Sequence, residues 1–341
     1  MTLLKENRPD HDFFLADIFD NTPVKDDMAS MEHPMFVLSK KKDLRCLEYR
    51  KDNVTITIAP SIFGLPNIFD KDILLYCCSL LMAEVNAGRI PPRTLRVSSH
   101  DLLVSTNRRT DGIAYARLKD ALDRLKGVSI KTNIKTGKRE QTSAFGLLES
   151  YDIIESSRVK DRMIRLEITL SEWFYNSIVG KEVLTINRDY FRLGKPMERR
   201  LYEIARKHCG HQSAWSIGLI PLMEKTGSTG TLRLFRSRLK EIARDDHIPD
   251  YTLAVAEDDT VTFTNRNAEA QTQEILPLDD IPAISRDTIR KAQRIISEAG
   301  TGYDFYALQE EFTLSLMNGF QPKSVNGAFV NFVKKKVAAA P

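Results

Sequence analysis

Four basic side chains between residues 231 and 244 are spaced to act together. On a helix at about 100° per residue, Arg233, Arg236, Lys240 and Arg244 fall at i, i+3, i+7 and i+11 on one narrow face. Leu232, Phe235, Leu239, Ile242 and Ala243 form a separate apolar stripe. A helix that buries the stripe presents a row of cations. A guanidinium fork binds guanine O6 and N7, or a phosphate, through two parallel hydrogen bonds. The chemistry on offer is therefore recognition of nucleic acid in a groove. A solvated helix poor in acids has the same pattern, but the turn Ser228–Gly230 before it and the hairpin expected after it favour recognition. A second helix, from about Gly112 to Lys126, has the stripe Leu118, Ala121, Leu122 and Leu125, with Arg117 and Arg124 on one flank and Lys119 and Lys126 on the other. Asp120 and Asp123 lie opposite and repel phosphate. Base contacts are expected instead near its N-terminal turn, at Thr110 and Tyr115, with Arg108 and Arg109 just before it. Lys131, Lys135, Lys138 and Arg139 follow on a hairpin that suits phosphates or the minor groove. The later hairpin is acidic at Glu257–Asp258–Asp259 and is expected to stay off DNA.

Residues for covalent or metal chemistry lack the needed spacing. The sequence has no GxxxxGK[ST], GxSxG or HExxH, and no His-hydrophobic-His pair of the kind a nicking nuclease needs. His208–Cys209–Gly210–His211 has no second Cys/His pair, so helix-end histidines explain it better than metal ligands do. No catalytic residue, metal or cofactor is expected. The cysteines, Cys46, Cys77, Cys78 and Cys209, form no CxxC and no disulfide framework, which points to a reducing cytoplasm. Cys77 and Cys78 sit on an apolar helix and read as core. Trp173, beside Phe174 and Tyr175, serves either as a stacking platform for single strands or as a hydrophobic plug.

The elements that must position these residues are legible in outline. Val54–Ile58 alternates as a strand. Asp70 offers an N-cap for a helix to about Ala87, and its apolar run Ile73–Ala83 is too short to span a membrane. A short helix at Ser98–Val104, the turn Asn107–Asp111 and the helix 112–126 lead to strands at Val128–Ile134, Ala144–Glu155 and Met163–Leu170. The order then repeats: helix Pro196–Cys209, strand Trp215–Ile217, helix Ile220–Lys225, helix Thr231–Arg244, and a hairpin of Tyr251–Val255 with Thr260–Thr264. Arg117–Leu118–Lys119 and Arg238–Leu239–Lys240 recur in the same place in the two series. Three helix candidates close the chain at Arg286–Ala299, Tyr303–Met317 and Val325–Ala339. The fold class expected is α+β: tandem winged helix-turn-helix domains with a small helical C-terminal module. The expected boundaries are a flexible acidic leader 1–32, winged domains 33–180 and 181–265, a linker 266–282 and the helical module 283–341.

Charge agrees with this layout. The 341 residues carry a net charge of only +4. That total conceals +8 over residues 93–139 and +8 over 188–244, offset by −5 over 1–32 and −7 over 250–289. Segregation of this kind is the footprint of a polyanion binder. A hydrophobic content of 42% supports real cores and excludes wholesale disorder. Residues 1–20 are acidic and lack the basic n-region and apolar h-region of a secretory signal, so none is expected there.

Four stretches carry a family resemblance: Met31-Glu-His-Pro-Met35-Phe36, Phe69-Asp-Lys-Asp-Ile-Leu-Leu-Tyr76-Cys77, Ser171-Glu-Trp-Phe-Tyr175-Asn176, and Asp189-Tyr-Phe-Arg-Leu193 continuing to Arg199-Arg-Leu-Tyr202-Glu-Ile-Ala-Arg-Lys-His-Cys-Gly210. Together, over about residues 31–265, they resemble plasmid replication initiators of the replication initiator protein A type, related in architecture to the initiators of iteron plasmids. The resemblance implies binding of double-stranded DNA at repeated origin sites (iterons), opening of adjacent AT-rich DNA and recruitment of the host initiator and replicative helicase machinery. It also implies a homodimer in equilibrium with a monomer, the dimer repressing its own gene, and a location on plasmid DNA in the cytoplasm. The second reading is a winged-helix transcriptional regulator with no replication role.

Overall fold

The computed structural model describes residues 23–51, 54–133, 143–155, 163–210, 212–268 and 284–299, and beyond these 308, 312, 322 and 324–338. They form two compact units, one reaching Arg266 and one starting at Asn267. The chain mixes helix and sheet.

The first unit is organised around α2 (Lys71–Asn86), which is apolar on nearly every side and buries Ile73 to Ser79 without a break. Its expected cap, Asp70, makes no side-chain cap bond. The Asp70 carboxylate accepts from the Asn67 N–H at 2.9 Å and from Arg124 at 2.7 and 2.8 Å. The other caps act locally: Ser98 for α3 (Ser99–Ser105), Asp111 for α4 (Gly112–Gly127) and Ser171 for α5 (Glu172–Val179) each accept a backbone N–H of the first turn. Strand β4 (Thr94–Ser98) precedes α3, and the α4 stripe buries Leu118, Ala121, Leu122 and Leu125 as its spacing predicts. Trp173 lies in the same core, stacked on Phe145 with ring centroids 4.4 Å apart.

The strands depart from the simple order. The segment 144–155 is not one strand. β6 (Ser143–Phe145) joins an antiparallel sheet β2-β3-β5-β6, with β2 at Leu47–Lys51, β3 at Val54–Ala59 and β5 at Ser129–Thr132. β7 (Leu148–Glu155) joins β8 (Met163–Leu170) in the separate sheet β4-β8-β7. The break falls at Gly146, where a Cβ would lie 3.1–3.3 Å from the carbonyl oxygens of Leu148, Lys126 and Val128.

The second half of this unit contains α6 (Pro196–His208), β10 (Ala214–Gly218), α7 (Leu219–Thr226), α8 (Leu232–Asp245), β11 (Tyr251–Val255) and β12 (Thr260–Asn265). Gly227 ends α7 at φ +69, in the left-handed region that favours glycine. The sheet order is β10-β12-β11. Element by element, α6-β10-α7-α8-β11-β12 matches α2-β4-α3-α4-β7-β8, and in both sheets the first strand pairs the third, which pairs the second. α4 packs on β7 as α8 packs on β11. The β5–β6 pair that carries Lys131 thus belongs to the β2–β3 sheet, and β7–β8 is the counterpart of β11–β12.

Residues 24–32, expected to belong to a flexible acidic leader, are part of the folded unit. β1 (Lys25–Asp27) pairs with β9 (Val183–Thr185), and α1 (Met28–Glu32) packs on α6. Val24 and Met31 are buried with the second half, while Met35 and Phe36 are buried with the first. The acids here are partners of buried groups, as shown below, which is why counting them as solvated charge placed the boundary too late.

The second unit contains α9 (Arg286–Ala299) and α10 (Val325–Ala338), whose Ala292, Ile296, Phe329 and Val333 share a core with Leu308 and Phe312. Most of the helix expected at 303–317 lies outside the described residues. No helix among the described residues is long and apolar enough to cross a membrane.

Candidate nucleic-acid interface

α8 is built as its wheel predicts. Thr231 caps it by accepting the Leu234 N–H at 3.3 Å, and Phe235, Leu239 and Ile242 face the core. Arg233, Lys240 and Arg244 are exposed. Arg236 is half-buried and held by Asp259 in the β11–β12 turn, through Nε at 2.7 Å and Nη2 at 2.5 Å. The acidic hairpin tip therefore anchors one cation of the row to the sheet. Arg238, on another flank, is exposed and lines a cleft of about 460 Å³ between α8 and the segment 37–47.

The residues expected around α4 separate into distinct environments. Arg109 is 74% exposed and pairs with Asp111 at 2.9 Å. Arg117 is exposed beside the α4 core stripe, and Lys131 is exposed on β5. Thr110 and Tyr115 are half-buried, and Tyr115 packs on the core. Lys135, Lys138 and Arg139 lie outside the described residues. Asp123 accepts the Tyr151 hydroxyl at 2.5 Å, which draws it toward β7, whereas Asp120 is exposed.

Arg108 contradicts its expected place in the interface. Asn107, at φ +53, turns the chain back toward the core. The Arg108 guanidinium then donates to the Phe69 carbonyl and to Asp72 Oδ2, the latter at 3.0 Å, with only 19% of the side chain exposed. It belongs to a buried ionic joint between the two halves. Asp72 Oδ1 accepts from Arg199 at 2.5 Å. Arg199 also donates to the Leu193 carbonyl at 2.8 Å and lies over the Phe69 ring. Lys71 Nζ bridges Asp26 at 2.8 Å and Glu203 at 3.0 Å, and Glu203 accepts from Tyr190 and Arg200. Arg200 donates further to the carbonyls of Ser30 at 2.7 Å and Lys225 at 2.8 Å. Burial pushes the Glu203 carboxyl up, but Lys71 and Arg200 more than offset it and hold it below its ordinary value. Every charge faces an opposite charge or a carbonyl dipole, the condition for keeping ions out of water. This joint fixes α2 against α6, and through them α4 against α8.

The described residues of the histidine motif pack within the second half. His208 lies 2.8 Å from Glu32 and stacks on Trp215, and Cys209 is buried beside the Phe263 carbonyl. His211 lies outside the described residues. A different group, Glu198, Asp245 and His247, brings ligand atoms within 4.8 Å of one another. Lys195 Nζ already sits there, 2.7 Å from Asp245 and 3.8 Å from Glu198.

Comparison with known proteins adds an independent line. The sequence profile of the family described as replication initiator protein A matches residues 25–253. A curated relative from Wigglesworthia glossinidia brevipalpis, named "Putative replication protein", is 40% identical over 266 residues, covering 77% of this chain and 96% of the relative. Two crystal structures of domains 2 and 3 of RctB align with TM-scores of 0.46 and 0.43 at 14% identity. They cover 67% and 69% of this chain and 94% and 96% of those chains.

Proposed function

The chain belongs to the replication initiator protein A family, and from that premise we propose that it starts replication of a plasmid by binding repeated sites at the origin. Each half of the first unit is read as a winged helix-turn-helix, with α4 and α8 as the helices that enter successive major grooves. The observation that carries this reading is the doubled element order and sheet order of the first unit, most of which the family match covers. It supplies two helices with exposed basic faces in one compact unit, suited to a long asymmetric repeat. Arg233, Lys240 and Arg244 would supply the α8 contacts. Arg109 and Arg117, with Thr110 and Tyr115, would supply those of α4.

The mechanism is binding, with no bond of the DNA made or broken by this chain. Cations on both halves displace counterions from the phosphates, and the deformation imposed on the site favours melting of an adjacent AT-rich stretch. Recruitment of the host initiator and helicase machinery, exchange between a dimer and a monomer, repression of its own gene and residence on plasmid DNA in the cytoplasm complete the proposal.

A footprint on the DNA flanking the gene tests it. The expected result is protection of tandem repeats, each covering about two helical turns, beside an AT-rich stretch needed for plasmid maintenance. Protection of one palindrome over a promoter, with no effect on maintenance, would overturn the initiator reading in favour of a transcriptional regulator.

A further inference from the structure

One basic element has no place in that account. Residues 39–45 read Ser-Lys-Lys-Lys-Asp-Leu-Arg. Lys40, Lys41 and Lys42 are exposed, and none forms an ion pair with a described residue. Lys40 lies over the Phe69 ring, and Arg199 and Arg117 act on it as neighbouring like charges. The three consecutive ammonium groups repel one another, and nothing within the loop neutralises them: the loop's acid, Asp43, is committed to Arg45 at 2.9 and 2.6 Å.

The loop is nonetheless built. The Leu65 N–H donates to the Asp43 carbonyl at 2.8 Å, and the Lys41 N–H donates to Ser39 Oγ at 3.1 Å. Gly64, at φ +95, passes so close that a Cβ there would lie 3.0 Å from Lys42 Cγ and 3.1 Å from the Asp43 carbonyl oxygen. Its placement is equally specific. On one side Lys40–Lys42 line a cleft of about 300 Å³ with Asp120 and Arg124 of α4. On the other side Ser39 and Arg45 line the cleft of about 460 Å³ with Arg238 of α8. The loop stands between the two helices assigned to DNA.

We propose that residues 39–45 form a third DNA contact, with Lys40, Lys41 and Lys42 seated on the phosphates of the duplex between the segments read by α4 and α8. The inference rests on the DNA-binding reading above and adds to it the element that couples the two halves on one duplex. A preformed row of three lysines, which outnumber the one acid in their cleft, Asp120, suits a repeating phosphate charge, because each phosphate neutralised releases condensed counterions whatever the base sequence.

The test uses the full chain with Lys40, Lys41 and Lys42 all changed to Ala, and a second variant with all three changed to Arg. Affinity is measured against salt concentration on a duplex from the footprinted origin and on an unrelated duplex of equal length. The slope of log K on log salt should become shallower by about 2–3 on both duplexes in the alanine variant, at roughly 0.9 per phosphate. The arginine variant should keep the original slope. Equal urea midpoints for all three proteins show that the fold is intact. An unchanged slope in the alanine variant, with the unmodified chain binding DNA, overturns the loop assignment and leaves the initiator reading standing. Failure of the unmodified chain to bind either duplex overturns both.

Discussion

At the scale of single residues, charge counting and charge placement part company. The +8 over 188–244 is correct as a sum, yet Arg199 and Arg200 are buried in the joint and Arg236 is tied to Asp259. What distinguishes Arg108 from its neighbour Arg109 is the left-handed Asn107 and an acceptor, Asp72, 36 residues earlier, which no local pattern reveals. The α8 row was legible because helical periodicity sorts buried from exposed positions within one element. Arg108→Ala should therefore lower unfolding stability by about 1–3 kcal/mol, the scale of losing hydrogen bonds to a buried carboxylate. Arg233→Ala should leave stability within about 0.5 kcal/mol while weakening specific binding by about 1–3 kcal/mol. Urea unfolding and binding on the same two proteins check this, and the reverse pattern would return Arg108 to the interface. His33, in the first resemblance motif, gives a pH signature. Burial lowers its imidazole from 6.5 to about 4, against the pull of Glu32. Between those values the unfolded chain binds a proton that the folded chain refuses, so stability should fall as pH drops from about 6.5 to about 4. His33→Gln should flatten that part of the profile, and an unaltered profile would show that His33 does not set it.

At the scale of elements, helices are legible where caps and stripes are local, and strands are obscure where partners are distant. Asp111, Ser98 and Thr231 cap where the sequence places helix starts. β1 escapes notice because its three residues pair with β9, with Lys25 opposite Thr185. The hairpin after α4 misleads for a related reason: β5 follows α4 in the chain but pairs with β3, Ile58 opposite Ile130. The resemblance motifs Phe69-Asp-Lys-Asp and Arg199-Arg-Leu-Tyr-Glu lie far apart in the sequence, yet they meet as the joint. Lys71 is its centre, wholly buried between Asp26 of β1 and Glu203 of α6. Lys71→Met should leave the buried Asp26 carboxylate without its cation, facing Glu203, which keeps only Arg200, and cost about 3–5 kcal/mol. Adding Asp26→Asn should recover part of that loss, since the unpaired charge is then gone. Equal stability of Lys71→Met and the unmodified protein in urea would mean that the joint does not hold the halves together.

At the scale of the whole molecule, the positive excess and the family match share one unit. Residues 1–266 carry +5 and residues 267–341 carry −1. The family profile ends at residue 253, within β11, and the compact unit ends at Arg266, just past β12. β12 is the central strand of its sheet. It buries Val261 and Phe263 and pairs with β10 on one side and β11 on the other. The C-terminal helices have a separate core, with Phe312 and Phe329 rings 5.1 Å apart. A chain ending at Arg266 should therefore keep the unfolding midpoint of the first unit and its specific DNA affinity. A chain ending at Asp258 removes the middle of a three-stranded sheet together with Asp259, the carboxylate that holds Arg236. It should lose both the cooperative transition of the second half and recognition by α8. Urea unfolding and footprinting of the two truncations separate these outcomes. If the longer truncation lost specific affinity while keeping its midpoint, the C-terminal helices would take part in DNA recognition, and the boundary of the DNA-binding unit would move beyond Arg266.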